Sequence, residues 1–218
     1  MWLRFHDGAV TDSGITLIDA WELPEERIDE SIARWRERVG LIHASPGFRD
    51  ARLHRRLFPE SRLGLVNVAH WDSIEARDDA LANPGFTASA ATAASYATVH
   101  GGWYEVPSEF RAVGNGSGEG PGITFINAFE LPAQRIDEFL PHWLGRAELL
   151  SKAPGFRDNR LHRAVDPDTR FQLVSIAHWD SPDAWRTADN DPRFQQRLSA
   201  SPDFAIADPA LFRVVVEF

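Results

Sequence analysis

Polar side chains that can take part in proton transfer recur on strand-like segments of this chain. Asn67 and Trp71 stand four residues apart in the segment 63–71, so they share one face of a strand. The Asn amide and the indole N–H can both donate a hydrogen bond to a developing oxyanion on a phenolate or peroxide. His54, in the segment 48–57, can accept the proton of a phenol as a general base. These residue types predict a site that ionises a substrate and holds the resulting anion.

Strand alternation also predicts where these side chains point. Val66, Val68 and His70 occupy the face opposite to Asn67 and Trp71. Because aliphatic side chains suit a face that helices cover, we expect Asn67 and Trp71 to point into the interior between the sheets. His70 and its duplicate are then expected on the helix face, in a structural role.

The same alternation places further polar residues in the interior. On the first strand of each copy these are Asp19 and Asn127. On the next strand they form two identical Asp-x-Arg-x-His runs: Asp50, Arg52, His54, Asp158, Arg160 and His162. Each run can supply a general base, or it can be a structural network that joins the two sheets. The sequence leaves both interpretations open.

The chain consists of one module written twice. Gly14 aligns with Gly122, and this offset of 108 residues holds without a gap through the rest of the module. PGFRDARLHR at 46–55, for example, corresponds to PGFRDNRLHR at 154–163. Residues 112–122 are rich in Gly and Ser, which is typical of a flexible linker. We therefore predict an N-terminal module at residues 1–111, a linker at 112–122 and a C-terminal module at 123–218.

Each copy has the pattern of a β-α-β-β-α-β unit. In the first copy, residues 15–22 are β-branched and apolar, and Pro24 opens a helix. The small residues at 87–102 are expected to be helical, with the last strand at 102–106. This element order is the ferredoxin-like unit, and two such sheets can cover each other. The predicted fold class is α+β, with tandem ferredoxin-like βαββαβ modules that form an intramolecular dimeric α+β barrel.

Composition argues against several kinds of function. The net charge is −9 and no Lys/Arg cluster is present, so no nucleic-acid partner is expected. The absence of Cys excludes thiol catalysis and thiolate metal sites, and it fits a cytoplasmic location. Apolar runs are too short to span a bilayer and the N-terminus lacks a signal-peptide pattern, so no membrane partner is expected. The His spacing predicts no metal site, and the Gly-rich stretch predicts no dinucleotide site.

The motifs make the chain similar to a known family. The segment INAFELP at 126–132, the PGFRDxRLHR run of both copies and VNVAHWDS at 66–73 resemble the antibiotic biosynthesis monooxygenase family of dimeric α+β barrel proteins. The tandem form resembles its polyketide-tailoring subgroup, which includes ring-opening, Baeyer–Villiger-type oxygenases of angucycline pathways. The resemblance covers nearly all of both modules and implies the fold more specifically than it implies one reaction.

The resemblance also suggests roles for individual residues. Asn67 and Trp71 match an Asn-x-x-x-Trp pair of the cofactor-independent anthrone oxygenases in the family, whereas the second copy has Ser175 and Trp179. The small residues at 87–102 favour the first copy as the better site. The residues expected to be catalytic are Asn67, Trp71 and His54. Those expected to bind substrate are Asp19, Trp21, Arg52, Asn127, Phe129, His162 and Trp179.

A haem enzyme is not expected, although Asn127 matches an Asn of the haem-degrading branch. That branch has an axial His on the second helix, ten residues beyond the Trp. The corresponding residues here are Leu81 and Asp189, so the resemblance does not extend to the iron ligand.

The resemblance implies a monooxygenase without a metal that acts on a polycyclic aromatic polyketide in antibiotic biosynthesis. Its substrate is expected to be a phenol or hydroquinone, which becomes a quinone, or a lactone if oxygen enters a C–C bond. An electron-rich ring can reduce O₂ itself, so no tightly bound cofactor is expected. The ring-opening relatives use reduced flavin (FADH2 or FMNH2) from outside, which implies a flavin reductase as partner. The alternative is a non-catalytic ligand-binding or scaffold barrel, and association into a homodimer is left open.

Overall fold

The computed structural model describes residues 14–93, 95–112 and 122–218. The first thirteen residues and nearly all of the predicted linker lie outside the described residues. The prediction that the N-terminus is not a signal peptide therefore also falls outside them. Within them, the first module contains four strands and three helices. In chain order they are β1 (Ile15–Glu22), α1 (Ile28–Gly40), β2 (Phe48–Arg56), β3 (Leu63–Trp71), α2 (Ile74–Leu81), α3 (Pro84–Ala93) and β4 (Thr98–Arg111).

The second module repeats this order. Its elements are β5 (Ile123–Glu130), α4 (Ile136–Leu150), β6 (Phe156–Ala164), β7 (Leu173–Trp179), α5 (Pro182–Asp189), α6 (Pro192–Ser199) and β8 (Ile206–Glu217). The local signals are duplicated as well. Ser73 and Ser181 cap the helices α2 and α5, because each hydroxyl oxygen accepts a hydrogen bond from a backbone N–H three residues later.

The strands form one closed antiparallel barrel in the order β1-β3-β2-β8-β5-β7-β6-β4. The last strand of each module joins the two halves. Strand β4 pairs with β1 of its own module and with β6 of the other, and β8 pairs with β5 and with β2. The predicted intramolecular α+β barrel is therefore confirmed.

The predicted helix over residues 87–102 is too long. Helix α3 ends at Ala93, and β4 begins at Thr98 and continues to Arg111, beyond the predicted strand end. Residues 98–104 pair with β1 in antiparallel register. Residues 98–102 were predicted to be helical, but the backbone hydrogen bonds of this ladder outweigh their helix propensity.

Aliphatic side chains from both modules fill the barrel interior, which reverses the predicted faces of the first and third strands. Members of this interior cluster include Ile18, Val66, Val68, Ile126, Val174 and Ile176. The interior of an eight-stranded barrel is just wide enough for side chains, so it takes the compact aliphatic residues. Asp19, Asn67, Trp71 and Asn127 consequently point away from the interior and towards the helices.

The register of β2 against β3 shows the same arrangement. Leu53 lies on the helix face, as predicted, and its direct partner across the ladder is Asn67. Directly opposed residues of an antiparallel pair share a face, so Asn67 must also lie on the helix face. His54 lies on the opposite, interior face, as predicted.

His70 and His178 were expected on the helix face and instead share the interior face of the aliphatic residues. His70 Nδ1 lies 2.8 Å from Asp50 Oδ1, and His178 Nδ1 lies 2.7 Å from Asp158 Oδ1. Each of these Asp–His pairs lies within one module and uses a different histidine from the predicted Asp-x-Arg-x-His run, whose His54 and His162 bond to backbone carbonyls instead. Arg52 lies at the barrel rim, half exposed and paired with a glutamate of β8.

Candidate active site

A cavity of about 280 Å³ lies between the sheet and the helices of the first module. Strands β1, β2 and β3 form its floor, and α1, α2 and α3 cover it. Its aromatic wall residues are Trp21, Trp35, Phe48, Trp71 and Phe86. The Phe48 ring stands edge-on to Trp71, with 5.1 Å between the ring centroids. Such walls suit a planar aromatic ligand.

Asp19 and Asn67 form a hydrogen-bonded pair on the cavity floor. They lie directly opposite each other on β1 and β3, and Asn67 Nδ2 donates to Asp19 Oδ2 over 3.0 Å. Desolvation raises the pKa of the Asp19 carboxyl, against the opposing effects of the Asn67 hydrogen bond and of the charges on Arg77 and Arg38. A carboxylate with a raised pKa is a stronger base than an ordinary aspartate, so Asp19 is suited to accept a proton.

Five polar atoms of the cavity-lining residues are buried and have no hydrogen-bond partner within the part of the chain that the structure describes. These atoms are Trp21 Nε1, Trp71 Nε1, Arg38 Nη1, Arg77 Nε and Asn67 Oδ1. Buried polar groups in proteins are nearly always bonded. Four donors and one acceptor around a single cavity therefore indicate positions for the polar atoms of a ligand.

Arg38 adds a positive charge to the cavity wall, and the sequence reasoning missed it. The residue is only 4% exposed, and its guanidinium carbon lies 5.3 Å from the Trp21 ring centroid. Desolvation lowers the pKa of Arg38, while the charges of Tyr96 and Asp19 raise it. Arginine nevertheless keeps its charge in proteins, so this residue can stabilise an anion. Its duplicate Arg146, at the same offset of the repeat, is the signal that could have identified it.

The second module has a cavity of about 380 Å³ at the equivalent place. Asn127 and Ser175 stand where the first module has Asp19 and Asn67. Ser175 Oγ donates to Asn159 Oδ1 over 2.9 Å, so its hydroxyl is satisfied within the protein. The carboxylate of the β1 floor has no counterpart on β5.

The structure brings some of the predicted residues together and separates others. Asp19, Trp21, Asn67 and Trp71 line the first cavity. Asn127 and Phe129 line the second. Trp179 is fully buried on the helix face of the second module, with its ring edge-on to Phe156 at 5.3 Å. Arg52, at the rim, lies outside both sets.

His54 and His162 face the barrel interior and line neither cavity. Each is 2% exposed, and each Nδ1 bonds to a backbone carbonyl, of Val66 at 3.1 Å and of Val174 at 3.2 Å. Desolvation lowers the pKa of both imidazoles to about 4, so they are neutral at pH 7. The sheet separates His54 from Asn67, because the two side chains lie on opposite faces. The expected partnership of His54 with Asn67 and Trp71 is therefore not found.

The cavities do not fit a haem. Leu81 lines the first and Asp189 the second, and no described residue that lines either cavity is a histidine. Neither residue supplies the imidazole ligand that the haem-degrading branch uses. Among the described residues, no group of three or more His, Asp or Glu side chains is arranged to hold a metal ion. In the described ranges, no helix has the length and apolar character needed to cross a membrane.

The chain has relatives of known sequence and of known structure. The haem oxygenase (mycobilin-producing) of Mycobacterium tuberculosis is 30% identical over 97 residues, which cover 44% of this chain and 90% of that protein. An anthrone oxidase-like protein superposes with a TM-score of 0.75 at 19% identity, covering 95% of this chain and 94% of that one. A chlorite dismutase from Candidatus Nitrospira defluvii superposes with a TM-score of 0.58 at 9% identity, covering 95% and 93%. At these identities the comparison shows that both structures share the fold of this chain. The two structures have different names, which indicates that the barrel does not specify one reaction.

The family model of antibiotic biosynthesis monooxygenases matches the chain twice, at residues 14–92 and at 122–197. The two matches correspond to the two copies of the repeat and together span more than half of the chain. The protein therefore belongs to the antibiotic biosynthesis monooxygenase family, as a monooxygenase with two such modules in tandem.

Proposed function

We propose that this protein oxidises a planar polycyclic aromatic compound that ionises easily, such as a polyketide anthrone, phenol or hydroquinone, in the cavity of the first module. One observation carries the proposal. A carboxylate of raised pKa, Asp19, lies among aromatic walls in a cavity with four N–H donors that have no partner among the described residues. This arrangement suits a substrate that gives up a proton and becomes a delocalised anion.

The proposed reaction starts with proton transfer to Asp19. For an anthrone, the proton leaves the methylene carbon between the rings, and Asn67 holds the accepting carboxylate in place. The indole N–H groups of Trp21 and Trp71, with the charge of Arg38, stabilise the negative charge that is delocalised over different oxygens of the substrate. These groups are buried, and electrostatic effects are larger in a buried site than in solution.

Oxygen then reacts with the ionised ring. The substrate carbon gives its electrons to O₂ and forms a C–O bond, and the resulting peroxide anion takes the proton back from Asp19. Loss of water from the hydroperoxide leaves a quinone carbonyl. The methylene group and O₂ are thereby converted into a carbonyl and one water, and the ring is the only reductant.

This scheme needs no resident cofactor, because the substrate supplies the electrons. The second scheme is the Baeyer–Villiger-type one, in which O₂ would insert one oxygen atom beside a ring carbonyl to give a lactone; reduced flavin from a separate reductase would supply the two electrons that convert the other oxygen atom into water. Both schemes use the same cavity for the polycyclic ring, and they differ in whether oxygen uptake requires flavin.

The test is oxygen uptake with 1,8-dihydroxyanthrone as substrate, with and without reduced FMN, and with the Asp19→Asn protein as control for autoxidation. We expect uptake without flavin, and a quinone that carries one labelled oxygen when ¹⁸O₂ is supplied. Uptake only with reduced flavin would support the ring-opening scheme. Tight binding of the substrate without uptake in either case would replace the oxygenase proposal with the ligand-binding barrel.

A further inference from the structure

The cavity of the second module keeps aromatic walls but has lost the chemistry of the first. The rings of Phe125 and Trp185, which both line the cavity, pack against each other with centroids 5.0 Å apart and planes tilted by 30°. Phe129, Trp143 and Phe194 complete the apolar lining. No described residue lines both cavities, so this is a separate space on the other half of the barrel.

Its strand floor carries neutral polar groups. Asn127 Oδ1 is buried and has no hydrogen-bond partner among the described residues. Asn159 and Ser175 are each 3% exposed and are bonded to each other. An amide oxygen without a partner at this position can accept a hydrogen bond from a ligand hydroxyl, and it cannot remove a proton from carbon.

Charged groups of this cavity come from the helices instead. Asp189 of α5 stands where the first module has Leu81, and desolvation raises the pKa of its carboxyl. Arg146 of α4 is 6% exposed, and it donates to the hydroxyl of Ser201. Burial lowers the pKa of Arg146 to about 10, so it remains a cation at neutral pH. Polar partners therefore lie on the floor and on the opposite wall, with aromatic rings between them.

We infer that the second cavity is a non-catalytic binding site for a neutral planar aromatic compound that bears a hydroxyl on one edge and a carbonyl on the opposite edge, as a hydroxylated quinone does. The ligand hydroxyl donates to Asn127 Oδ1, and its carbonyl accepts from the guanidinium of Arg146. The rings lie against Trp185 and Phe125. The inference rests on the proposed function only for the choice of ligand, since this is the product class expected from the first cavity.

The experiment is a calorimetric titration of the full chain with 1,8-dihydroxyanthraquinone, which has no methylene group to oxidise. The wild-type protein should bind two equivalents, one in each cavity. Asn127→Leu should remove one equivalent, and the matched change Asn67→Leu should remove the other. Fluorescence gives a second readout, because a ligand in the second cavity lies beside Trp185. The quenching attributed to that indole should be absent in Trp185→Phe and retained in Asn67→Leu.

Binding of a single equivalent that Asn127→Leu leaves unchanged would overturn the inference, as would quenching that is the same in Trp185→Phe. These outcomes are separate from the fate of the proposed function. A wild-type protein that consumes no oxygen but binds two equivalents, one of them lost in Asn127→Leu, would support the second site and refute the oxygenase proposal. A protein that consumes oxygen and binds one equivalent that Asn127→Leu leaves unchanged would support the oxygenase proposal and refute the second site.

Discussion

Replacing Trp71 by Phe tests whether an indole N–H of the first cavity stabilises the reacting anion. Trp71 is 2% exposed and its Nε1 has no partner among the described residues. The substitution therefore removes no hydrogen bond within the protein. It shortens the side chain and weakens the edge-on contact with Phe48, so we expect a loss of about 1–3 kcal/mol in the free energy of unfolding.

The effect on catalysis should be larger than the effect on stability. Removing one preorganised donor to an oxyanion typically lowers kcat by about 100- to 1,000-fold. We expect a fall in kcat of this size for Trp71→Phe, with a smaller change in KM, because the aromatic surface that binds the substrate is largely kept.

The chain offers a matched control in Trp179→Phe. Trp179 has the equivalent position in the second module, an Nε1 that also lacks a partner among the described residues, and the same edge-on contact with a phenylalanine at 5.3 Å. It should lower the thermal midpoint to a similar extent and leave oxygen uptake close to the wild-type rate. For both variants, oxygen-electrode rates measure the effect on catalysis and thermal melts measure the effect on stability. Equal rates for the two variants would refute the argument that the first module holds the reacting anion.

Three further predictions concern pH and the difference between the modules. If deprotonated Asp19 is the base, kcat/KM should rise with pH through the folded-state pKa of Asp19, which lies above 3.8. Asp19→Asn should lack this rise. A rise that is retained in the variant would exclude Asp19 as the base. His54 and His162 have pKa values of about 4 against 6.5 when unfolded, so the folded protein binds fewer protons between these values. Urea midpoints should therefore be highest above pH 6.5 and fall towards pH 4, and a flat profile would contradict the burial of neutral imidazoles. Finally, Asn127→Asp combined with Ser175→Asn should give oxygen uptake in an Asp19→Asn background, and a folded but inactive protein would show that this pair is insufficient.

Sequence features predicted the repeat and the barrel because both depend on local patterns that occur twice. The offset of 108 residues holds without gaps, and each module carries the same proline before its first helix and the same serine cap before its second. A closed barrel then follows, since each four-stranded unit has an apolar face that must be covered.

The face that carries the site could not be predicted from alternation alone. Nearly every residue of β3 is buried, on both faces, because the interior and the helix layer both exclude water. A period of two therefore separates the two sets of side chains without showing which set faces inward. Leu53 carried the missing information, since its pairing with Asn67 requires both to face the helices.

The sequence favoured His54 over Asp19 as the candidate base for a related reason. His54 has the side chain that most often acts as a general base near neutral pH, and Asp19 in a sequence looks like an ordinary strand residue. The cavity beside Asp19 arises only when α1, α2 and α3 pack over the sheet, so its desolvation depends on residues distant in the chain. Arg38 was missed because a charged residue on a helix is normally exposed.

The central claim is that catalysis takes place on the helix face of the first module, with Asp19 as base, and not inside the barrel with His54. The most direct test compares the oxygen-uptake rates of Asp19→Asn and His54→Gln with 1,8-dihydroxyanthrone. The account predicts a fall of at least about 100-fold in kcat for Asp19→Asn. It predicts a rate near that of the wild type for His54→Gln, provided that the variant is folded. Loss of activity in His54→Gln together with full activity in Asp19→Asn would contradict the account.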